Sequence, residues 1–195
     1  MSGLVEHLER FLGPIAAGSS GDETTPDGVQ VVWFGPDTPW PGVTTLATLG
    51  LHRYHLGNPD RGGLHKELLL HVAMDDRSAT AAGILFQVAG MMVERGNGLQ
   101  RGQVLGPAGP LFGHGNLTAL YVTAPLYLPD ESEVFRAAGQ TVVIGWLVPI
   151  TDIEAAYVRA QGWQAFEEVL VAQNPDLVDI NRPSVVPDAT AADGT

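Results

Sequence analysis

Residues 140–161, QTVVIGWLVPITDIEAAYVRAQ, change from strand to helix at a single threonine. The first eleven, 140–150, are rich in valine, isoleucine and tryptophan and read as a buried strand. Thr151-Asp152-Ile153-Glu154 then has the S/T-x-x-E spacing of a capping box. In that motif the hydroxyl and the carboxylate each satisfy one orphan N–H of the first turn. The helix is expected to run to about Gln161, with Gly162 capping or kinking it. Trp163, Phe166, Val169 and Leu170 continue at helical spacing, and Pro175 ends the second helix.

Upstream, 117–128 (LTALYVTAPLYL) reads as another strand, with Pro125 forcing a bulge or an edge. Residues 96–115 are glycine-rich and read as a long loop with one short strand at 103–105. Residues 76–95 are the longest helix candidate. Asp75, Asp76 and Ser78 supply its cap, and Ile84, Leu85, Val88, Met91 and Met92 form its apolar stripe. Gly83 and Gly90 each weaken such a helix, so a close packing partner over them is expected. In 64–74 (LHKELLLHVAM), His65, Glu67, Leu69 and His71 share one strand face and Lys66, Leu68, Leu70 and Val72 the other. A turn at 58–63 (NPDRGG) joins this strand to the threonine-rich 43–52 as a hairpin. Residues 29–34 are a further strand, 16–28 a loop, and Leu4, Val5, Leu8, Phe11 and Leu12 the inner face of a first helix stopped by Gly13-Pro14. The order implies one α+β domain, a mostly antiparallel or mixed sheet with helices packed mainly on one side. The expected division is 1–28 helix and loop, 29–185 the domain, and a disordered tail over 186–195, its tail-like composition beginning at Pro183.

Composition removes several function classes. The 195 residues carry 10 Lys+Arg and 22 Asp+Glu, a net charge of -12. Nucleic-acid backbone and anionic membrane surfaces want the opposite sign. Residues 130–195 hold eleven of the acids and three basic residues, an imbalance suited to a basic protein partner. There is no cysteine, hence no disulfide, thiolate ligand or cysteine nucleophile. No apolar run is long enough to span a bilayer, and the first residues lack a signal-peptide pattern, so a cytoplasmic location is expected.

Catalytic motifs are scarce. Gly96-Asn97-Gly98-Leu99-Gln100-Arg101-Gly102 has the spacing GxGxxxG and follows a helix, whereas a dinucleotide loop needs GxGxxG after a strand. The single lysine, Lys66, lies outside any phosphate loop, and G-x-S-x-G is absent. His65-Lys66-Glu67 fits H-x-E without the cysteines of a zinc deaminase. His65 and His71 share a face but lie too far apart along a strand to ligate one ion. A composite metal or hydrolase site of His52, His55, His65 and Glu67 across the hairpin is the one candidate. A small-ligand pocket beneath the 96–115 loop is a weaker idea with no chemistry to name its ligand. The acid pairs, Glu167/Glu168 among them, read as solvated faces and caps. Trp33, Phe34 and Trp40, among prolines 36, 39 and 41, form a candidate interface patch.

Several segments together resemble the suppressor of fused family. They are Thr44-Thr45-Leu46-Ala47-Thr48-Leu49-Gly50-Leu51, Glu67-Leu68-Leu69-Leu70, Leu147-Val148-Pro149-Ile150-Thr151 running into Glu154, the Gly162 joint, and Asp179-Ile180-Asn181-Arg182-Pro183-Ser184. Their order matches that family over roughly residues 30–185. A serine usually follows the Gly-Leu of the threonine strand there; here the position is His52. The resemblance implies a protein-binding domain without catalysis or cofactor. Eukaryotic relatives carry a second domain and hold a transcription-factor peptide as an added strand between the two; a chain of 195 residues is expected to lack that second domain. Bacterial single-domain relatives suggest an immunity-type inhibitor of a toxin, a basic one on the charge argument, or a regulatory partner-binding protein. Trp33, Trp40, His52 and Tyr54 are the candidate protein-binding residues.

Overall fold

The computed structural model describes residues 2–35, 37–57, 65–73, 78–137 and 139–187. Its elements, in order, are α1 (Ser2–Leu12), β1 (Ile15–Ser19), β2 (Gln30–Phe34), β3 (Val43–Leu49), β4 (His65–Ala73), α2 (Ser78–Arg95), β5 (Val104–Leu105), β6 (Leu117–Thr123), β7 (Val134–Ala137), β8 (Gln140–Thr151), α3 (Asp152–Gln161) and α4 (Trp163–Gln173). The strands form one open mixed sheet ordered β1-β2-β3-β4-β8-β6-β5, with β7 also paired to β8. Only β4 and β8 run parallel; every other pair is antiparallel. β8 is long enough to hold β4 on one edge and β7 followed by β6 on the other.

β4 is central, which explains why both of its faces are buried. Leu68, Leu70 and Val72 pack with Leu46, Leu120, Leu147 and the α2 stripe Ile84, Leu85, Val88 and Met92. On the other face, Leu69 packs with Ala47, Ile144 and the α1 residues Leu4, Leu8 and Leu12. Farther along that face, Tyr121, Trp146, Val148 and Ile150 meet Val158, Phe166 and Leu170 of α3 and α4. Three of the four helices therefore cover one face and α2 covers the other. Among the described residues no helix is long and apolar enough to cross a membrane.

The structure differs from the sequence reading in several places. Residues 15–19, expected in part as loop, are the edge strand β1, held by pairing with β2. β7 was not expected; it forms a tight hairpin with β8, Ala137 opposite Gln140. His52 lies on a short 3-10 turn, Leu51–Arg53, beyond the end of β3. The strand from Leu117 ends at Thr123, before Pro125. Val185 and Val186 are packed against the α3–α4 cluster, so order extends past Pro183. The expected turn at 58–63, the caps Asp75 and Asp76, and residues 188–195 of the expected tail lie outside the described residues.

The glycines of α2 are also not what the sequence suggested. A methyl group added at Gly83 or Gly90 would meet nothing within 4 Å, so neither supports a close contact within the described chain. Both belong to the wall of an open groove between α2 and the β1–β2 connection. Gly83→Ala and Gly90→Ala are expected to stabilise the fold, each by up to about 1 kcal/mol, through helix propensity alone. Urea unfolding checks this; a loss of stability would mean that the groove is closed in solution.

Candidate functional site

Glu67 of β4 is fully buried. Its Oε1 accepts from the backbone N–H of Gly50 at 2.8 Å and of His52 at 3.2 Å, and lies 2.5 Å from His52 Nδ1. Its Oε2 accepts from Thr48 Oγ1 at 2.5 Å, and that hydroxyl accepts from the Leu68 N–H at 2.8 Å. The carboxylate thus ties the end of β3 and the turn after it onto β4. Gly50 is required in that turn: its φ is +104°, and a Cβ would sit 2.1 Å from the Gly28 carbonyl. The His52 carbonyl is in turn bonded by His65 Nδ1 at 2.7 Å and accepts from Gln140 Nε2 at 3.3 Å. His55 and His65 stack edge-on, 4.7 Å apart.

The fold therefore gathers His52, His55, His65 and Glu67, as the composite reading required. It does not arrange them as a metal centre. Both Glu67 oxygens hold internal donors, and His65 Nδ1 is directed at a backbone carbonyl. Among the described residues no group of three His, Asp or Glu side chains is placed to hold a metal ion. The hydroxyl bonded to Glu67, that of Thr48, is itself buried and accepts the Leu68 N–H, so it too serves the clamp.

A second clamp joins the two late segments of the family resemblance. Glu154, fully buried, closes the expected capping box: it accepts from Thr151 N at 2.8 Å while Thr151 Oγ1 accepts from Glu154 N at 3.1 Å. The carboxylate also receives both Arg182 nitrogens, Nη1 at 2.7 Å and Nη2 at 2.8 Å, and the Val185 N–H at 2.9 Å. Arg182 Nη2 donates to the Pro149 carbonyl as well, at 3.0 Å. Burial pushes the Glu154 carboxyl upward, but the bonds and charge of Arg182, helped by the Val185 and Thr151 N–H groups, hold it below the ordinary glutamate range.

Trp33 and Trp40 do not form one patch. Trp33 and Phe34 are neighbours on β2, so their side chains enter opposite faces of the sheet, Trp33 against the α2 side and Phe34 against α1. Tyr54 packs on the same side as Trp33, and its hydroxyl donates to the Asp27 carbonyl at 2.9 Å. Trp40 instead joins a ring cluster with His71 (5.1 Å) and Tyr127 (5.8 Å). Trp146 completes it, 5.3 Å from His71 and 4.9 Å from Tyr127. Thr45 Oγ1 lies 2.9 Å from His71 Nδ1. Burial lowers the His71 pKa to about 3, so the ring is neutral.

Trp40 and Tyr127 are the walls of a groove of about 550 Å³ whose far side is Asn174, Pro175 and Asp176, just past α4. The sequence reading missed Tyr127, His71 and Asp176, because no local spacing relates them. Glu167, expected to be a solvated surface acid, instead anchors α4. Its Oε1 accepts from Tyr121 and Thr123 hydroxyls at 2.9 and 3.0 Å, and Arg101 bonds both its oxygens at 3.1 and 2.7 Å. A smaller space of about 250 Å³ lies beside β5, among Met91, Met92, Leu99, Val104 and Leu105.

A family model described as Suppressor of fused protein (SUFU) matches residues 25–183. A putative SUFU homolog from Neisseria gonorrhoeae FA 1090 has the same fold, with TM-score 0.76 and 19% identity, over 96% of this chain and 97% of that one. A Sufu-Fu complex structure aligns with TM-score 0.70 and 16% identity, over 94% and 91%. Drosophila Suppressor of Fused aligns with TM-score 0.60 and 18% identity, over 80% of this chain and 42% of that one. At these identities the likeness is one of fold. No curated protein matches the chain.

Proposed function

This chain belongs to the suppressor of fused family, and from that premise we propose that it is a non-catalytic protein-binding domain. Family membership over residues 25–183 carries the reading. The solved Sufu-Fu complex, in which a protein of the same fold sits in an assembly, supports it. Within this chain, Glu67, the acid that the sequence offered for chemistry, is enclosed in a clamp that holds β3 and its following turn to β4, and the capping-box acid Glu154 is enclosed in a second clamp with Arg182. What faces outward is an acidic surface, with a net charge of -12. β1 and β5 end the sheet and present edges on which a partner strand can add.

The finer reading is an immunity-type inhibitor of a basic toxin, or a regulatory partner-binding protein, acting in the cytoplasm. Residues 29–185 are the binding domain of this proposal, and Trp33, Trp40, His52 and Tyr54 remain its candidate contacts. The charge argument favours a basic partner, because an acidic surface steers it into register.

The test is affinity capture from a lysate of the source organism at low salt, with mass spectrometry. One stoichiometric basic protein is expected, and its affinity should fall as salt rises from about 50 to about 500 mM, where the Debye length shortens several-fold. Loss of that partner's toxic activity on adding this protein would establish inhibition. A partner bound equally at both salt concentrations would remove the electrostatic argument, and no partner at all would remove the binding module.

A further inference from the structure

We propose that the groove between Trp40, Tyr127 and the 174–176 turn seats a lysine or arginine side chain of the protein partner, a contact that rests on the protein-binding reading above.

The groove has two aromatic walls. Trp40 and Tyr127 stand at 90° to each other with centroids 5.8 Å apart, and both line the opening. Each is braced from within, Trp40 by His71 and Tyr127 by Trp146. Those inner rings are nearly or fully buried, at 1% and 0% exposure. The walls are therefore held in place before anything binds, which reduces the ordering cost of binding. Aromatic faces attract ammonium and guanidinium groups, most strongly where water is partly excluded.

The far side is negative by construction. α4 ends here: its C-cap is Asn174, and its last turn carries no basic residue to offset the carbonyl end of the helix. A cation is favoured at that position. Asp176 adds a full charge. Its Oδ1 accepts from the Val178 N–H at 3.1 Å, which fixes the side chain and leaves the second oxygen for a ligand. The Tyr127 hydroxyl accepts from the Leu177 N–H and donates to the Pro175 carbonyl, both at 3.2 Å, so the wall and the turn are one unit. No Lys or Arg lines the groove. His71 beneath it is neutral and adds no repulsion.

The rim points to a side chain on a larger partner. Leu126 and Tyr127 are 47% and 40% exposed. Tyr127 and the lining residues Val43, Pro175 and Val178 give the groove an apolar strip suited to the methylene stem of lysine or arginine. A small free cation would not use that strip.

The experiment is an NMR titration of the full chain with an acetylated, amidated tetralysine peptide, following the Trp40 indole N–H. Saturable shifts are expected at Trp40, Tyr127 and 174–178. Asp176→Asn keeps the Val178 hydrogen bond and removes the charge; it should weaken binding by about fivefold, and Trp40→Leu by about tenfold. Phe86→Leu, on α2 across the sheet, should bind as the wild type does. Shifts elsewhere only, or Asp176→Asn and Trp40→Leu binding like the wild type, would overturn the proposal. So would tetramethylammonium binding as tightly as the peptide, which would indicate a site for small cations. The same variants serve as baits in the capture experiment. If they retain the partner at full affinity, the groove proposal fails and the binding module stands. If the wild type captures nothing while the peptide still binds the groove, the module reading fails instead.

Discussion

Arg182→Ala is expected to lower the unfolding free energy by about 3–5 kcal/mol, the cost of leaving a buried charge without its partner. Glu154 is 0% exposed and Arg182 3%, so neither charge can turn to water in the folded state. The alanine variant would strip two hydrogen bonds from the Glu154 carboxylate and one from the Pro149 carbonyl. Domains of this size are stable by only about 5–15 kcal/mol, so the variant sits near the edge of folding. The double variant Arg182→Met with Glu154→Gln removes both charges and should recover much of the loss. Urea unfolding of the three proteins at neutral pH measures this. A loss below about 1 kcal/mol for Arg182→Ala would show that water reaches the pair.

The pH dependence of the same pair has a definite sign. The Glu154 pKa is lowered in the folded state from its ordinary 4.5. The unfolded chain therefore takes up the proton first as pH falls. The contribution is complete above about 4.5 and is lost as pH drops through the folded value. The stability gap between wild type and Arg182→Ala should accordingly narrow below that pH.

His71 should produce the second large effect, on the acid side of neutrality. Burial lowers its pKa from 6.5 to about 3. Between those values the unfolded chain binds a proton that the folded chain refuses. Stability is full above 6.5 and declines as pH falls toward 3, by at most about 1.4 kcal/mol per pH unit. The groups around the ring explain the low value: Thr45 at Nδ1, the Trp40 and Trp146 rings on its flanks, and no hydrogen-bond partner for Nε2 among the described residues. Between pH 7 and about pH 4.5 the wild type should lose about 2–3 kcal/mol more than His71→Leu. Parallel losses in both proteins would mean that the ring is solvated or already charged, and the braced groove wall would then need revision.

Local pattern made much of this molecule legible. The Thr151–Glu154 capping box formed as its spacing implied, because both hydrogen bonds close within one turn. The two faces of β4 followed from alternation, since side chains of a strand must point to opposite sides. The segments that resemble the suppressor of fused family were also legible, and they matched the family model. Their role was not. Glu67 meets Thr48 and Gly50 across a hairpin, and Glu154 meets Arg182 across 28 residues. Those residues hold the fold together, and the sequence alone could equally have placed them at a surface or a site.

β1 and β7 escaped notice because neither has a buried face of its own; IAAGS and VFRA become strands through the ladders that β2 and β8 offer them. The groove was invisible for a related reason. Trp40, His71, Tyr127, Trp146 and Asp176 come from five separate segments, and no periodicity links them. Composition, caps and alternation act over a few residues, so the amino-acid order alone determined the charge, most of the elements and the family. Which polar groups are enclosed, and which aromatic rings meet at the surface, depends on contacts between distant segments, and those exist only once the sheet has assembled.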